Sequence, residues 1–296
     1  MSTVPLARRY LDLLKRSLVN DLYIENEARI VHMVAAAVDG RPIDLALVAE
    51  IDRDAPLVAA INHAKEIGGT VTINRTTGDR APLPALRRVT DLSHTMIGRR
   101  RLDNLERCLE QIVADAVPGD LIETGVWRGG AVIFMRGFLA AHAITDRLVW
   151  AADSFAGLPP PSLAQDAGFD GSAAVAPGLA VSLDAVKRLF ERYGLLDDQV
   201  RFLAGWFKDT LARAPIERLA LLRLDGDLYE STIDALTALY DKLSPGGFVI
   251  VDDYFSCPPC REATEDFRRE RAITEATTQI DPQSVFWRKP PRNPAR

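Results

Sequence analysis

From Thr90 onward, short apolar runs alternate with helical patterns, and no other feature of the sequence constrains the fold as tightly. The helical pattern LDNLERCLEQIVADAV stops at Pro118–Gly119, and the apolar run DLIETGV follows. The order then reads as a helix through VIFMRGFLAAHAI, the strand RLVWAADSF, a proline- and glycine-rich segment, and the helix LDAVKRLFERYG. VRFLAGWF, a helix, LALLRLDGD, the helix STIDALTALYDKL and GGFVIVDDY complete the series. Two parallel strands cannot be joined by a tight turn; they need a crossover of about a dozen residues, usually a helix. The alternation therefore predicts an α/β fold, a mostly parallel Rossmann-like sheet with helices on both faces. VFWRK near the end reads as a last, antiparallel edge strand.

The region before Thr90 is organised differently. A helix is expected near Pro5, with Thr3 as its cap and Leu6, Tyr10, Leu14 and Leu18 (or Leu13 in place of Leu14) as an apolar stripe. Patterns such as ARIVHMVAAAV and PIDLALVAEI predict further short helices, and TVTIN a short strand. Residues 1–89 are read as a helical module or lid, 90–290 as the main domain and 291–296 as a disordered tail.

Composition enters mainly as a filter. A chain of 296 residues with 47% hydrophobic content can bury a large core without disulfides. Three cysteines argue for a reducing interior, and charges threaded through the first residues oppose a signal peptide. No uncharged stretch approaches the roughly 18 to 20 residues that span a bilayer, so a cytoplasmic location without a membrane partner is expected. A net charge of −5 opposes general nucleic-acid binding, and the short cluster Arg99, Arg100 and Arg101 is read as a solvated helix start.

Two constellations carry chemistry. In DLIETGVWRGGA, a strand runs into Gly125, and Gly129–Gly130 opens the next helix. Glycine allows the tight turn and close backbone approach to a ligand, and the helix start offers free N–H groups. Glu123 precedes the first glycine, where it would repel a pyrophosphate but attract the amine and sulfonium of a cationic nucleoside. Asp153, at the end of the second strand, is placed to bond ribose hydroxyls, or else caps a turn. The second constellation pairs Asp225 and Asp227 at one strand end with Asp252 and Asp253 at another. Both strands read as apolar up to those points, so four acids without basic partners are expected to converge. Repulsion among them would be relieved by a divalent cation held through hard oxygen ligands, Mg²⁺ first, with Mn²⁺ or Ca²⁺ as alternatives. The alternative reading is that Asp227 caps the following helix.

Other features point less far. CPPC, from Cys257 to Cys260, allows a redox reading, but no second pair exists for zinc and nearby acids oppose thiolate formation. His32, His63, His94 and His142 are scattered and form no ligand spacing; His94 alone borders a segment of interest.

With these residues in view, the chain resembles the macrocin O-methyltransferase family, which methylates deoxysugar hydroxyls in antibiotic biosynthesis. The matching runs are RYLDLLKRSL, HTMIGRRRLDNL, LIETGVWRGGA, ADSFAGLPPP, AGWFKDTL, LRLDGDLYEST and SPGGFVIVDDY, covering residues 6–23 and most of 93–255 in the family's order. The resemblance implies a class I methyltransferase fold, S-adenosylmethionine and Mg²⁺ as cofactors, a small glycoside as substrate, a mobile proline-rich lid and a homodimer. Carried over, Glu123, Thr124, Gly125, Gly129, Asp153, Ser154, Phe155 and Gly157 fall in the cofactor-contacting runs. Thr95 and Met96 match a segment that closes over the cofactor, and Trp206 a motif near the adenine. Asp225, Asp252 and Asp253 match the metal ligands, with Asp225 also beside the cofactor, and Asp227 matches the general base. Compact members of the family lack much of what lies between Ala28 and Ala85. The rival readings are a metal-dependent catechol or phenol O-methyltransferase, walled by Phe169, Trp206, Tyr229, Tyr254 and Phe255, and a non-catalytic protein that keeps the cofactor as a structural ligand.

Overall fold

A computed structural model describes residues 5–51, 56–67 and 92–291. Thr3, the run TVTIN and residues 292–296 of the tail lie outside the described residues. Contacts divide the chain into two compact units, Met1–Leu102 and Asp103–Arg296.

In the first unit, α1 (Leu6–Leu18), α2 (Ile24–Val38), α3 (Leu45–Glu50) and α4 (Pro56–Ile67) follow one another. Pro5 immediately precedes α1, where its fixed φ suits a helix start. The buried stripe of α1 is Leu11, Leu14 and Leu18, whereas Leu6 is 82% exposed and Leu13 is also exposed. The expected stripe was thus rotated toward Leu6, because i, i+4 spacing alone fits more than one helix face. Asp44 caps α3, accepting from the N–H groups of Ala46 and Leu47 at 3.0 and 3.1 Å. Ile24, Ala28 and Val31 pack with Ile51, Val58 and Ile61 in a small core. Beside it, Lys65 and Glu27 form a fully buried ion pair of 2.7 Å. The arginine cluster also departs from expectation. Arg99 reaches Glu66 at 3.0 Å and Asp21 at 3.6 Å, and Arg101 is buried, so only Arg100 is solvated.

The second unit is entered through α5 (Arg99–Ala114) and is built on β1 (Asp120–Thr124), β2 (Val149–Asp153), β3 (Val200–Ala204), β4 (Leu219–Leu224), β5 (Leu243–Val251), β6 (Thr278–Gln279) and β7 (Val285–Arg288). Among the described residues these form one sheet of order β3-β2-β1-β4-β5-β7-β6. The first five strands pair in parallel, and β7 runs antiparallel to β5. Its side away from β5 is paired with the two-residue β6, so VFWRK is antiparallel as expected but not the outermost strand. The helices are α6 (Gly130–Ala141), α7 (Leu183–Arg192), α8 (Phe207–Thr210), α9 (Tyr229–Leu239) and α10 (Pro258–Glu270). Every residue of β4 is buried, as is nearly all of β1 and β5, which is what continuous apolar runs in a covered parallel sheet require. Strand order reverses between β1 and β4. Open sheets of this kind bind ligands at such a switch point, beyond the carboxyl ends of the strands. No helix among the described residues is long and apolar enough to cross a membrane.

Candidate active site

Gly125 lies at the switch point, directly after β1. Its φ is +89°, and a Cβ there would fall 1.7 Å from the carbonyl oxygen of Asp225. Only glycine lets the two strand ends approach this closely. Gly129, also at positive φ, caps α6, and a Cβ would meet Val186 of α7 at 2.9 Å. The loop between these glycines is stitched to β2 by Asp153. One carboxylate oxygen accepts from the N–H groups of Val126 and Trp127 at 2.7 and 3.3 Å, the other from Phe155 N–H at 2.7 Å. Burial pushes the Asp153 pKa up, against the pull of these N–H donors. The turn role weighed for Asp153 is therefore real, and a ribose would have to share the carboxylate with the loop. Ser154 closes the same turn by donating to Gly157 O at 2.6 Å and accepting from Ala156 N–H at 3.0 Å.

The acid cluster differs from expectation in one decisive respect: it has a basic partner. Arg223, 1% exposed, lies within β4, and its Nη1 donates to Asp225 Oδ2 at 2.7 Å. Nη1 also donates to Glu123, and Nη2 to Asp252. Register explains the meeting. Glu123, Arg223 and Ile250 are direct neighbours across β1, β4 and β5, and Asp225 and Asp252 lie two residues further along their strands, hence toward the same face. Glu123 thus gives one oxygen to Arg223, while its Oε2 is buried with no hydrogen-bond partner. Glu123 is buried against the guanidinium, and burial, ahead of any charge effect, raises its pKa to about 8. An arginine inside the otherwise apolar LALLRL was the available signal, since a charge in a strand covered on both faces needs partners.

Even so, one guanidinium faces several acids. Asp225, Asp252 and Asp253 each present an oxygen, and those ligand atoms lie within 4.8 Å of one another. An all-oxygen set at that spacing fits a hard divalent cation. Burial, then repulsion from Asp252, raises the Asp225 pKa well above the usual carboxylate range. Asp227 stands beside this set in a left-handed backbone conformation, φ +56°. Burial and then Asp225 raise its pKa to about 6. Cys257 Sγ–H donates to Asp227 Oδ1 at 3.5 Å. Asp227, Asp253 and Cys257 form a second close group. Burial and these two acids push the Cys257 thiol pKa up, and Cys260 is buried too, so CPPC serves as the stiff start of α10 and opposes thiolate chemistry.

Asp227 does not cap α9; Asp166 does. From the proline-rich segment, this fully buried aspartate accepts from the N–H groups of Tyr229 and Glu230 at 2.6 and 3.1 Å. Ser162 donates to the Glu230 carboxylate at 2.6 Å, and Trp127 Nε1–H to Gly178 O at 2.9 Å. The segment expected as a lid is thereby pinned at three places. Sequence reading missed Asp166, because a cap supplied 63 residues upstream leaves no local pattern. Trp206 precedes α8 and is partly exposed, Phe155 packs edge-on against Phe202, and Thr124 is buried at the end of β1. Thr95 and Met96 belong to the first unit, just ahead of α5.

A glycine turn at the switch point, an acid ending β2 and helices around a sheet of this order define a class I S-adenosylmethionine-dependent methyltransferase. The model of the macrocin-O-methyltransferase (TylF) family matches residues 7–289. The chain belongs to that family and is an S-adenosylmethionine-dependent O-methyltransferase. It is 54% identical over 202 residues to demethyldecarbamoylnovobiocin O-methyltransferase of Streptomyces niveus, covering 67% of this chain and 76% of that protein. It is 56% identical over 205 residues to 8-demethyl-8-(2,3-dimethoxy-alpha-L-rhamnosyl)-tetracenomycin-C 4'-O-methyltransferase of Streptomyces olivaceus, covering 67% and 76%. Among solved structures, the O-methyltransferase NovP aligns with a TM-score of 0.74 at 41% identity, over 96% of this chain and 99% of that one.

Proposed function

We propose that this enzyme methylates a hydroxyl of a deoxysugar on a natural-product glycoside, using Mg²⁺ and Asp227 as general base. The observation that carries the reading is the convergence of oxygens from Asp225, Asp252 and Asp253 within 4.8 Å, beside the half-buried carboxylate of Asp227. A bound Mg²⁺ would supply a Lewis acid that orients neighbouring hydroxyls and makes one more acidic. The relative whose name specifies a rhamnosyl 4'-O-methylation supports a sugar acceptor over a catechol.

In this reading the glycine loop from Gly125 to Gly129 seats the donor, Glu123 and Thr124 line its amino-acid end, and Asp153 shares its carboxylate with the ribose. Ser154, Phe155, Gly157 and Trp206 border the nucleoside. Transfer is an in-line displacement: the oxygen–carbon bond forms as the carbon–sulfur bond breaks, and the hydroxyl proton passes to Asp227. Holding the reacting atoms nearly collinear supplies much of the rate. Asp227 stands beside the cation set, where it can accept the hydroxyl proton. The three free, buried thiols suit a reducing, cytoplasmic setting, and exposed Leu6 and Leu13 on α1 offer apolar surface for a homodimer.

Asp227→Asn tests the base. Affinity for S-adenosylhomocysteine, measured by titration calorimetry, should stay unchanged while turnover on a deoxysugar glycoside falls roughly 10²- to 10⁴-fold. Turnover within a few-fold of the parent would remove the assignment. Faster methylation of a catechol than of any glycoside would overturn the sugar acceptor.

A further inference from the structure

Glu123, Asp225 and Asp252 come from three adjacent strands, yet one guanidinium holds an oxygen of each. The side chain of Arg223 is 2% exposed, and a single nitrogen, Nη1, is shared between Glu123 and Asp225. Glu123 lies at the donor end of the proposed site, Asp225 and Asp252 at the cation end. We propose that Arg223 is a positioning residue that couples the two ends, so that occupying the cation site tightens the hold on the methyl donor. The inference rests on the donor and cation assignments made above.

The physical reason lies in the shape of the group. Guanidinium is planar and rigid, and its N–H donors point in fixed directions. A change in the orientation of Asp225 or Asp252 therefore alters the direction in which Nη1 meets Glu123. A point charge would neutralise the acids equally well without linking their geometries. Burial sharpens the link, because in a low-dielectric interior the three bonds cannot be exchanged for water. Such coupling is reciprocal: whatever factor the cation adds to donor affinity, the donor adds to cation affinity.

Arg223→Lys separates charge from geometry. The affinity of the full-length protein for S-adenosylhomocysteine would be measured by calorimetry with and without Mg²⁺, and that for Mg²⁺ with and without S-adenosylhomocysteine. In the parent protein each ligand should improve the other's affinity about fivefold or more, the lower range of ordinary coupling. In Arg223→Lys both ligands should still bind, the ratio should collapse toward one, and kcat should fall more than KM rises. A lowered Tm with the ratio intact would mean that Arg223 is merely structural, and would overturn the proposal. Should Arg223→Lys not fold, Glu123→Gln breaks only the donor arm and must also collapse the ratio; a preserved ratio there overturns the coupling. Parent protein that binds S-adenosylhomocysteine but no Mg²⁺ defeats the cation site and the coupling together. Binding of both ligands with a ratio of one defeats the coupling alone.

Discussion

Two buried charge clusters in this molecule are solved in opposite ways. In the N-terminal unit, Lys65 meets one carboxylate, Glu27, and its remaining donors go to the carbonyl of Val19 and to Ser93 Oγ at 3.2 Å. One positive charge answers one negative charge. At the strand ends, Arg223 answers Glu123, Asp225 and Asp252 together, with Asp227 and Asp253 close by. The first cluster is electrically complete and its job is structural. In the second, several carboxylates share one guanidinium, and burial with mutual repulsion raises the pKa values of Glu123, Asp225 and Asp227.

The comparison can be broken at several points. The largest effect should come from Lys65→Met, which strands Glu27 in the core and should cost about 3–5 kcal/mol in chemical denaturation. Adding Glu27→Leu should restore most of that loss, since a balanced pair can be replaced by apolar groups; no such rescue would mean the pair does more than fill space. At the other cluster, Asp253→Asn should leave metal-free stability equal or higher by relieving repulsion. Mg²⁺ affinity should meanwhile fall at least about tenfold, the scale seen even for residues one step behind a ligand. Unchanged Mg²⁺ affinity would remove Asp253 from the cation set.

The pH dependence separates the clusters further. Folding raises the pKa of Asp227 from 3.8 to about 6 and that of Glu123 from 4.5 to about 8. Groups raised in this way contribute stability that is full below their unfolded values and is lost as pH climbs through the folded ones. Measured in EDTA, Tm should therefore drop by a few degrees between pH 5 and 8, and Mg²⁺ should flatten that slope. A slope indifferent to Mg²⁺ would count against a cation at this edge. The smallest effect belongs to Asp166→Ala, which uncaps α9 and should cost about 1–2 kcal/mol by thermal or chemical unfolding. Proteolysis of the proline-rich segment should quicken in that variant if the cap is what pins it.

Much of the second unit was legible because its causes are local. The apolar runs mark β1 to β5, and the crossover helices between them dictate parallel pairing. Gly125 and Gly129 could be picked out because positive φ and close approach demand glycine. The acids at two strand ends were visible as pairs in LRLDGD and VIVDDY, and the ordered motifs carried the family. The solvated reading of Arg99 and Arg101 failed because their partners lie on other helices or outside the local pattern.

What the sequence by itself determined, then, is the alternation of elements and the residue types at the ends of the strands, since period and turn chemistry act over a few neighbours. Which acids touch Arg223, and which carboxylate caps α9, was decided only by tertiary structure. Strand register brings residues 100 apart into one hydrogen bond, and no local rule reaches that far.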